Sequence, residues 1–250
     1  MTDKLIKIAD RFWNIRGSFK LAGLIDLGTQ ASLVQLRSGD FVFLDSYELS
    51  GEVAEQVRAL TDQGRAVRAI INLHPFHTLH VPAVAAQFPH AALYGTLRHK
   101  QRAPSLRWQP LNTDDPALHE QFAGDLSFSV PRGVDLIPRS SALHFASVLA
   151  LHEPSRTLHV DDTLSWSSLP LLRGLRFHPT LRFALLKRPG AAREFRTWAQ
   201  DLVAKCGNIQ HLCTAHSRQL PDTKQSIEQR VRGALDDISP MLDAHTKRYG

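Results

Sequence analysis

The feature that most constrains the fold is a series of short apolar runs separated by turns. Between Phe12 and Asp45 these runs follow one another closely, and Ser38-Gly39-Asp40 lies between the last two. Glycine tolerates the positive φ that tight turns require, so this tripeptide indicates a hairpin. The pattern predicts an antiparallel meander in this part of the chain.

Helical and strand patterns alternate after the meander. Ser50 is placed to cap a helix that Gly64 ends, and the apolar run from Val67 to Leu73 predicts a strand covered on both faces. A second helix is predicted from Pro82 to Phe88, followed by a short strand over Ala92 to Tyr94. This alternation indicates an α/β (α+β) protein.

In the second half of the chain, some segments predict strands or helices and others predict no regular structure. The segment from Lys100 to Asp125 has weak periodicity and predicts a long irregular connection, and the segment from Leu169 to Arg188 has no clear assignment. The sequences LSFSV, ALHFASVLAL and TLHVDD predict strands; helices are expected over 191–205 and 222–243, with a strand over 209–213. Because there is no internal repeat or low-complexity linker, a single domain spanning 1–250 is expected.

Composition excludes several classes of protein. In 250 residues there are 43% hydrophobic residues, and 30 basic against 24 acidic residues give a net charge of +6. This excess permits an anionic ligand but makes nucleic acid an unlikely partner. Only two cysteines are present, which rules out a disulfide framework or a thiolate zinc cluster. With no apolar membrane span or signal-peptide core, a cytoplasmic protein that does not enter membranes is expected.

Histidine is unusually frequent, with 13 residues, and three of them follow the predicted strand over 67–73. His74, His77 and His80 are spaced by three, so at most two neighbours could share an ion through local structure alone. The alternative is a solvated loop that happens to be rich in histidine.

Two further strands end in metal-ligand residue types. In Thr157–Asp162, alternation places His159 and Asp161 on one face, with Asp162 at the expected strand end; paired aspartates there are also common as helix caps. His216 follows the strand over 209–213. Strands that end at one point commonly assemble nitrogen and oxygen metal sites, so these residues are candidates for a shared centre.

In order, these segments resemble the metallo-β-lactamase superfamily over 10–216. The segment from Ile25 to Asp45 is similar to the family's first hairpin, Ala69–Pro75 to the approach to its histidine motif, Leu158–Asp162 to the strand with the bridging aspartate, and Thr214–His216 to the terminal histidine. The resemblance implies a four-layer αββα sandwich, a site for one or two zinc or iron ions, and a small-molecule substrate.

The family motif His-x-His-x-Asp-His is only partly present. It aligns with His74 to Leu79, so that Phe76, Thr78 and Leu79 replace the second histidine, the aspartate and the last histidine. The resemblance therefore implies a site that departs from the family pattern and holds one metal ion, because the missing aspartate both binds metal and orients water in the family. Its implied metal ligands are His74, His77, His144, Asp162 and His216, and Asp161 and His77 are the implied catalytic residues.

These residues leave three functions open. The first is a metal-dependent hydrolase, and the second is a degenerate member of the fold that has no metal and acts as a binding or interaction protein. The third is nucleic-acid processing, suggested by two basic clusters, although ordinary solvated surface explains such clusters better. The clusters are Arg98, His99, Lys100, Arg102 and Arg107, and Arg173, Arg176, Arg182, Lys187 and Arg188.

Overall fold

Two β-sheets lie face to face between two layers of helices. The computed structural model describes residues 3–21, 25–26, 28–167, 174–215, 220 and 224–250. Within these residues, apolar side chains form three buried clusters, one between the sheets and one between each sheet and its helices. The order of layers is αββα, as the resemblance implies.

The first eight strands form the first sheet and a small separate hairpin. In chain order they are β1 (Lys4–Ala9), β2 (Phe12–Gly17), β3 (Lys20–Leu21), β4 (Ile25–Asp26), β5 (Thr29–Gln35), β6 (Phe41–Leu44), β7 (Val67–Ile71) and β8 (Ala92–Tyr94). Strands β3 and β4 pair with each other, and the six-stranded sheet has the order β1-β2-β5-β6-β7-β8. Pairing is antiparallel from β1 to β6 and parallel from β6 to β8. The predicted meander is therefore confirmed.

The second sheet contains the remaining strands. They are β9 (Leu126–Ser129), β10 (Leu149–His152), β11 (Thr157–Ser167), β12 (Gly174–Phe177) and β13 (His211–Ala215). Their order is β12-β11-β10-β9, and β13 runs parallel to β11.

The described part of the chain also contains seven helices. They are α1 (Gly51–Leu60), α2 (Val81–Gln87), α3 (Leu97–Arg102), α4 (Pro116–Gln121), α5 (Leu181–Ala184), α6 (Ala191–Cys206) and α7 (Ile227–Tyr249), with a 3-10 turn over Ser141–Leu143. Helices α1 and α2 pack on the first sheet, and α5, α6 and α7 pack on the second. None of the helices in the described part of the chain has the length and apolar character needed to span a membrane.

Strand β7 shows why this sequence forms a layered fold. Ala69 and Ile71 face the core between the sheets, whereas Ile70 faces α1 and α2. Apolar residues on both faces are what a covered parallel strand requires, as predicted. On β11, Leu158 and Val160 face the helices, and the polar residues between them face the other sheet.

The structure corrects four predictions from the sequence. The segment 100–125 is not irregular throughout, because it contains the end of α3 and all of α4, whose Leu118 packs between the sheets. The predicted strand ALHFASVLAL is a strand only over β10 and begins with a 3-10 turn. Strand β11 continues five residues beyond Asp162, to Ser167. The helix expected over 222–243 is α7, which begins at Ile227 and continues to Tyr249.

Two glycines give opposite predictions for alanine substitution. Gly133 has a φ of 72°, and a Cβ there would clash with the Ala191 carbonyl and lie 3.0 Å from the Phe195 nitrogen. We expect Gly133→Ala to lower the free energy of unfolding by about 2–4 kcal/mol. Gly233, in α7, has no described atom within 4 Å of such a Cβ, so Gly233→Ala is expected to raise it by about 0.5–1 kcal/mol. Urea unfolding of both variants tests this, and equal midpoints would contradict it.

Candidate metal centre

The candidate centre lies where the carboxyl ends of β6 and β7 meet the middle of β11. Asp45 directly follows β6, and the loop carrying His74 and His77 follows β7. Because β6 and β7 are parallel neighbours, their carboxyl ends lie at the same edge of the first sheet. Asp161 and Asp162 approach this edge from the second sheet.

An interruption in strand pairing brings both aspartates to one side of β11. Strand β10 pairs with β11 only as far as His159, and β12 pairs from Leu164 onward. The register with β13 also shifts between Val160 and Ser165. Asp161 Oδ2 therefore lies 3.7 Å from His77 Nδ1, and Asp162 Oδ2 lies 3.5 Å from His77 Nε2, although neighbouring residues of a regular strand face opposite ways.

Three side chains bring potential metal ligands to one point. His74 Nε2 lies 3.3 Å from Asp162 Oδ2, and the rings of His74 and His77 stack with centroids 4.0 Å apart. Ligand atoms of His74, His77 and Asp162 all lie within 4.8 Å of one another. His74 and Asp162 are fully buried, whereas the His77 side chain is 24% exposed. The group thus has one partly open side.

Buried atoms of this region, among them His74 Nε2 and Asp161 Oδ2, make no hydrogen bond with the described residues. Buried polar atoms without partners cost free energy, so they are rare in folded proteins. Imidazole nitrogen together with carboxylate oxygen is a donor set that binds zinc or iron. The residues present therefore fit a divalent cation.

The tautomer of His74 affects how it would bind a metal. The Phe76 backbone N–H donates to His74 Nδ1 at 3.2 Å, which places the proton of the neutral ring on Nε2. Coordination through Nε2 would require that proton at Nδ1, so the bond from Phe76 would have to break.

A second group, Asp45, His159 and Asp161, also has metal-ligand spacing, but the ligand atoms of Asp45 and His159 are already engaged in hydrogen bonds. His159 Nδ1 lies 2.9 Å from Ser32 Oγ, and His159 Nε2 lies 3.1 Å from Asp45 Oδ2. Asp45 Oδ1 accepts hydrogen bonds from the backbone N–H groups of Leu73 and His74, at 2.8 and 3.3 Å. We call Ser32, His159 and Asp45 the Asp45 clamp, because together they hold the backbone where the histidine loop begins.

Buried amides extend this polar network between the sheets. Gln30 Nε2 donates to the Val160 carbonyl at 3.0 Å and lies 3.4 Å from Asp161 Oδ1. Asn14 Nδ2 in turn donates to Gln30 Oε1 and Ser32 Oγ, both at 3.1 Å. The sequence contains no signal for these two roles, because both amides lie in ordinary strands. Asp45 was recognisable as the acid that follows an aliphatic strand.

Comparison with solved structures identifies this architecture. A metallo-β-lactamase from Erythrobacter litoralis, solved with β-mercaptoethanol in its active site, matches with a TM-score of 0.63, 12% identity and coverage of 97% of this chain and 96% of that one. The chain has the metallo-β-lactamase fold. FIM-1 from Pseudomonas aeruginosa, in its mono-zinc form, matches with a TM-score of 0.61, 9% identity and coverage of 98% and 97%. A metallo-β-lactamase from Pontibacter korlensis matches with a TM-score of 0.60 and 12% identity, and the match covers 97% of this chain and 99% of that one.

No protein-family model and no curated protein matches the sequence. At 9–12% identity, the structural matches establish the metallo-β-lactamase fold alone. The resemblance read from the sequence is confirmed at that level.

The structure brings together some of the site residues predicted from the sequence, but not all of them. His74, His77, Asp161 and Asp162 lie together, as described above. His144 is half-buried at the rim, with its ring 6.5 Å from that of Phe76 and 5.4 Å from that of His178. His216 lies outside the described residues.

Other residues singled out in the sequence lie outside the group of His74, His77 and Asp162, although Leu79 and His80 line the same cavity as His77. His80 precedes α2 and packs against Tyr47, with centroids 4.8 Å apart. Leu79 is 70% exposed. His99, which was assigned to a basic surface cluster, is buried, and Arg173 of the other cluster lies outside the described residues.

Burial and neighbouring charges shift the pKa values of the centre in opposite directions. Burial, and then the nearby His77, lowers the pKa of His74 to about 3. Burial also acts to lower the pKa of His77, but Asp161 and Asp162 more than offset it and raise that pKa well above its usual value. Burial and the neighbouring Asp161 raise the pKa of Asp45 to about 7. The pKa of Asp161 is below its usual range, because His77 outweighs burial. The His77–Asp161 pair therefore favours charged forms.

Proposed function

We propose that this chain is a metal-dependent hydrolase with a mononuclear centre. Its ligands are His74, His77 and Asp162, with His216 and His144 as further ligands from the sequence prediction. The observation that carries the proposal is the convergence of two imidazole nitrogens, His74 Nε2 and His77 Nε2, on Asp162 Oδ2, at 3.3 and 3.5 Å. Zinc or iron suits this donor set, and the mono-zinc form of FIM-1 supports a one-ion centre in this fold.

Each side chain of the centre has a distinct role in this proposal. A bound divalent ion would supply Lewis-acid polarisation of a carbonyl or phosphoryl oxygen. Asp161 faces His77 Nδ1, which keeps the proton at Nδ1 and directs Nε2 toward Asp162. The Asp45 clamp holds the backbone of His74. His77 is the most exposed of these groups, so it marks the side from which a substrate would reach the centre.

The substrate is a small molecule. A cavity of 80 Å³ lies beside His77 and is lined in part by Gln30 and Phe76. This volume is below the roughly 300–1,000 Å³ of pockets for drug-sized ligands. The centre therefore accommodates only a small group of the substrate at this point.

Elemental analysis of protein purified without a metal-affinity column tests the proposal. About one ion per chain is expected in the parent, because three ligands converge on one point, and none in His74→Ala or Asp162→Ala. His90→Ala is the matched control, since His90 is exposed and lies outside the centre. Metal retained in His74→Ala, or absent from the parent after reconstitution with zinc and with iron(II), would overturn the proposal.

One observation favours the second candidate, a binding protein without metal. The bond from Phe76 N–H to His74 Nδ1 places a proton on the nitrogen that would have to coordinate the ion. Together with the replaced positions Phe76, Thr78 and Leu79, this arrangement suits a centre that has lost its ion. Reconstituted parent protein without metal is the outcome that supports this candidate.

A further inference from the structure

A cation, Arg98, lies beside the candidate centre and has no acidic partner among the residues that the structure describes. The Arg98 guanidinium stacks on the ring of Phe76, with Cζ 4.1 Å from the ring centroid. The Phe76 ring in turn neighbours the rings of His74 and His144, with centroids 6.1 and 6.5 Å away. Arg98 is therefore one side chain removed from the centre.

The hydrogen-bonding capacity of Arg98 is not used within the described part of the chain. Its Nε is buried and has no acceptor there. No carboxylate of the described residues forms an ion pair with it, unlike Arg188, which pairs with Glu194 at 2.7 Å. Burial, and then the neighbouring cation Arg102, lowers the pKa of Arg98. A half-buried guanidinium in such surroundings is a ready site for an anion.

Phe76 connects this cation to the space beside His77. Its ring carries Arg98 and also lines the 80 Å³ cavity to which His77 contributes. A ligand in the cavity would thus contact Phe76 and His77, and Arg98 lies over the face of the same Phe76 ring. The stacking also limits the freedom of the guanidinium, so less entropy is lost when it binds.

We propose that Arg98 anchors an anionic group, a carboxylate or a phosphate, of a small substrate whose reacting bond lies at the His74–His77–Asp162 centre. This inference rests on the proposed function, since it names the substrate class of the same site. Arg98 is the specificity-determining residue, and Phe76 holds it in place.

Binding measurements on chelator-treated protein test the anchor independently of the metal. Benzoate and phenylphosphonate are titrated by calorimetry, with benzamide as the neutral counterpart of benzoate. We expect Arg98→Gln to weaken binding of the preferred anion about 10- to 100-fold, the range of one charge-assisted contact pair. Arg98→Lys should restore part of the loss, and the exposed Arg102→Gln should bind like the parent.

Each result has a defined meaning. Tighter binding of benzoate assigns a carboxylate, and tighter binding of phenylphosphonate assigns a phosphate. Equal binding by parent and Arg98→Gln, benzamide binding as tightly as benzoate, or no anion binding at millimolar concentration would overturn the anchor. Because chelated protein is used, these results are separate from the metal analysis, whose failure would overturn the hydrolase but leave an anion site.

Discussion

Asp45→Ala is expected to lower the free energy of unfolding by about 3–5 kcal/mol, because it leaves several buried donors without their acceptor. Asp45 accepts from the backbone N–H groups of Leu73 and His74 and faces His159 Nε2 at 3.1 Å. The residue also has a φ of 61°, a conformation that alanine adopts less readily than aspartate or asparagine.

Two variants separate these causes. Asp45→Asn keeps a side chain that tolerates positive φ but replaces one acceptor oxygen with a donor, so we expect a smaller loss of about 2 kcal/mol. Asp10→Ala is the surface control, because the Asp10 side chain is 87% exposed, and it should change stability by less than about 0.5 kcal/mol. Urea unfolding followed by circular dichroism measures all three. If the free energy of unfolding of Asp45→Ala falls by no more than that of Asp10→Ala, the Asp45 clamp does not hold the histidine loop.

Metal binding is expected to stabilise the parent strongly. With free zinc at about 1,000 times its dissociation constant, the free energy of unfolding should rise by about 4 kcal/mol, because only the folded chain assembles the centre. Asp162→Asn is expected to abolish this increase, since Asp162 Oδ2 lies 3.3 and 3.5 Å from the nitrogens of His74 and His77.

Asp161→Asn should give an intermediate result. Its carboxylate faces His77 Nδ1 at 3.7 Å and orients the ring, and losing such a partner weakens metal binding about 10- to 100-fold. At the same zinc concentration, the increase should therefore be smaller by about 1.4–2.7 kcal/mol. Each variant is compared with its own chelated form, so that the effect of the substitution on folding cancels. An increase equal to that of the parent would show that Asp161 does not position His77.

Local sequence patterns were sufficient to predict those helices and strands that have a repeating apolar face. Helix α1 buries Val53 and Val57 at a spacing of four, and β7 is apolar on both faces, so both were predictable. Helix α4 was missed because it has six residues and only Leu118 buried in it. A helix this short depends on packing against the rest of the fold, which local periodicity does not reveal.

For the candidate centre too, one part was predictable from local sequence and another part was not. The sequence by itself determined which apolar runs carry histidine or aspartate, because an apolar run followed by a polar side chain is a local property, as at Leu73 and His74. Only the tertiary structure decided which of these side chains meet. Asp161 and Asp162 both reach His77 because the pairing of β11 is interrupted between Val160 and Leu164, and pairing partners are set by residues distant in the chain.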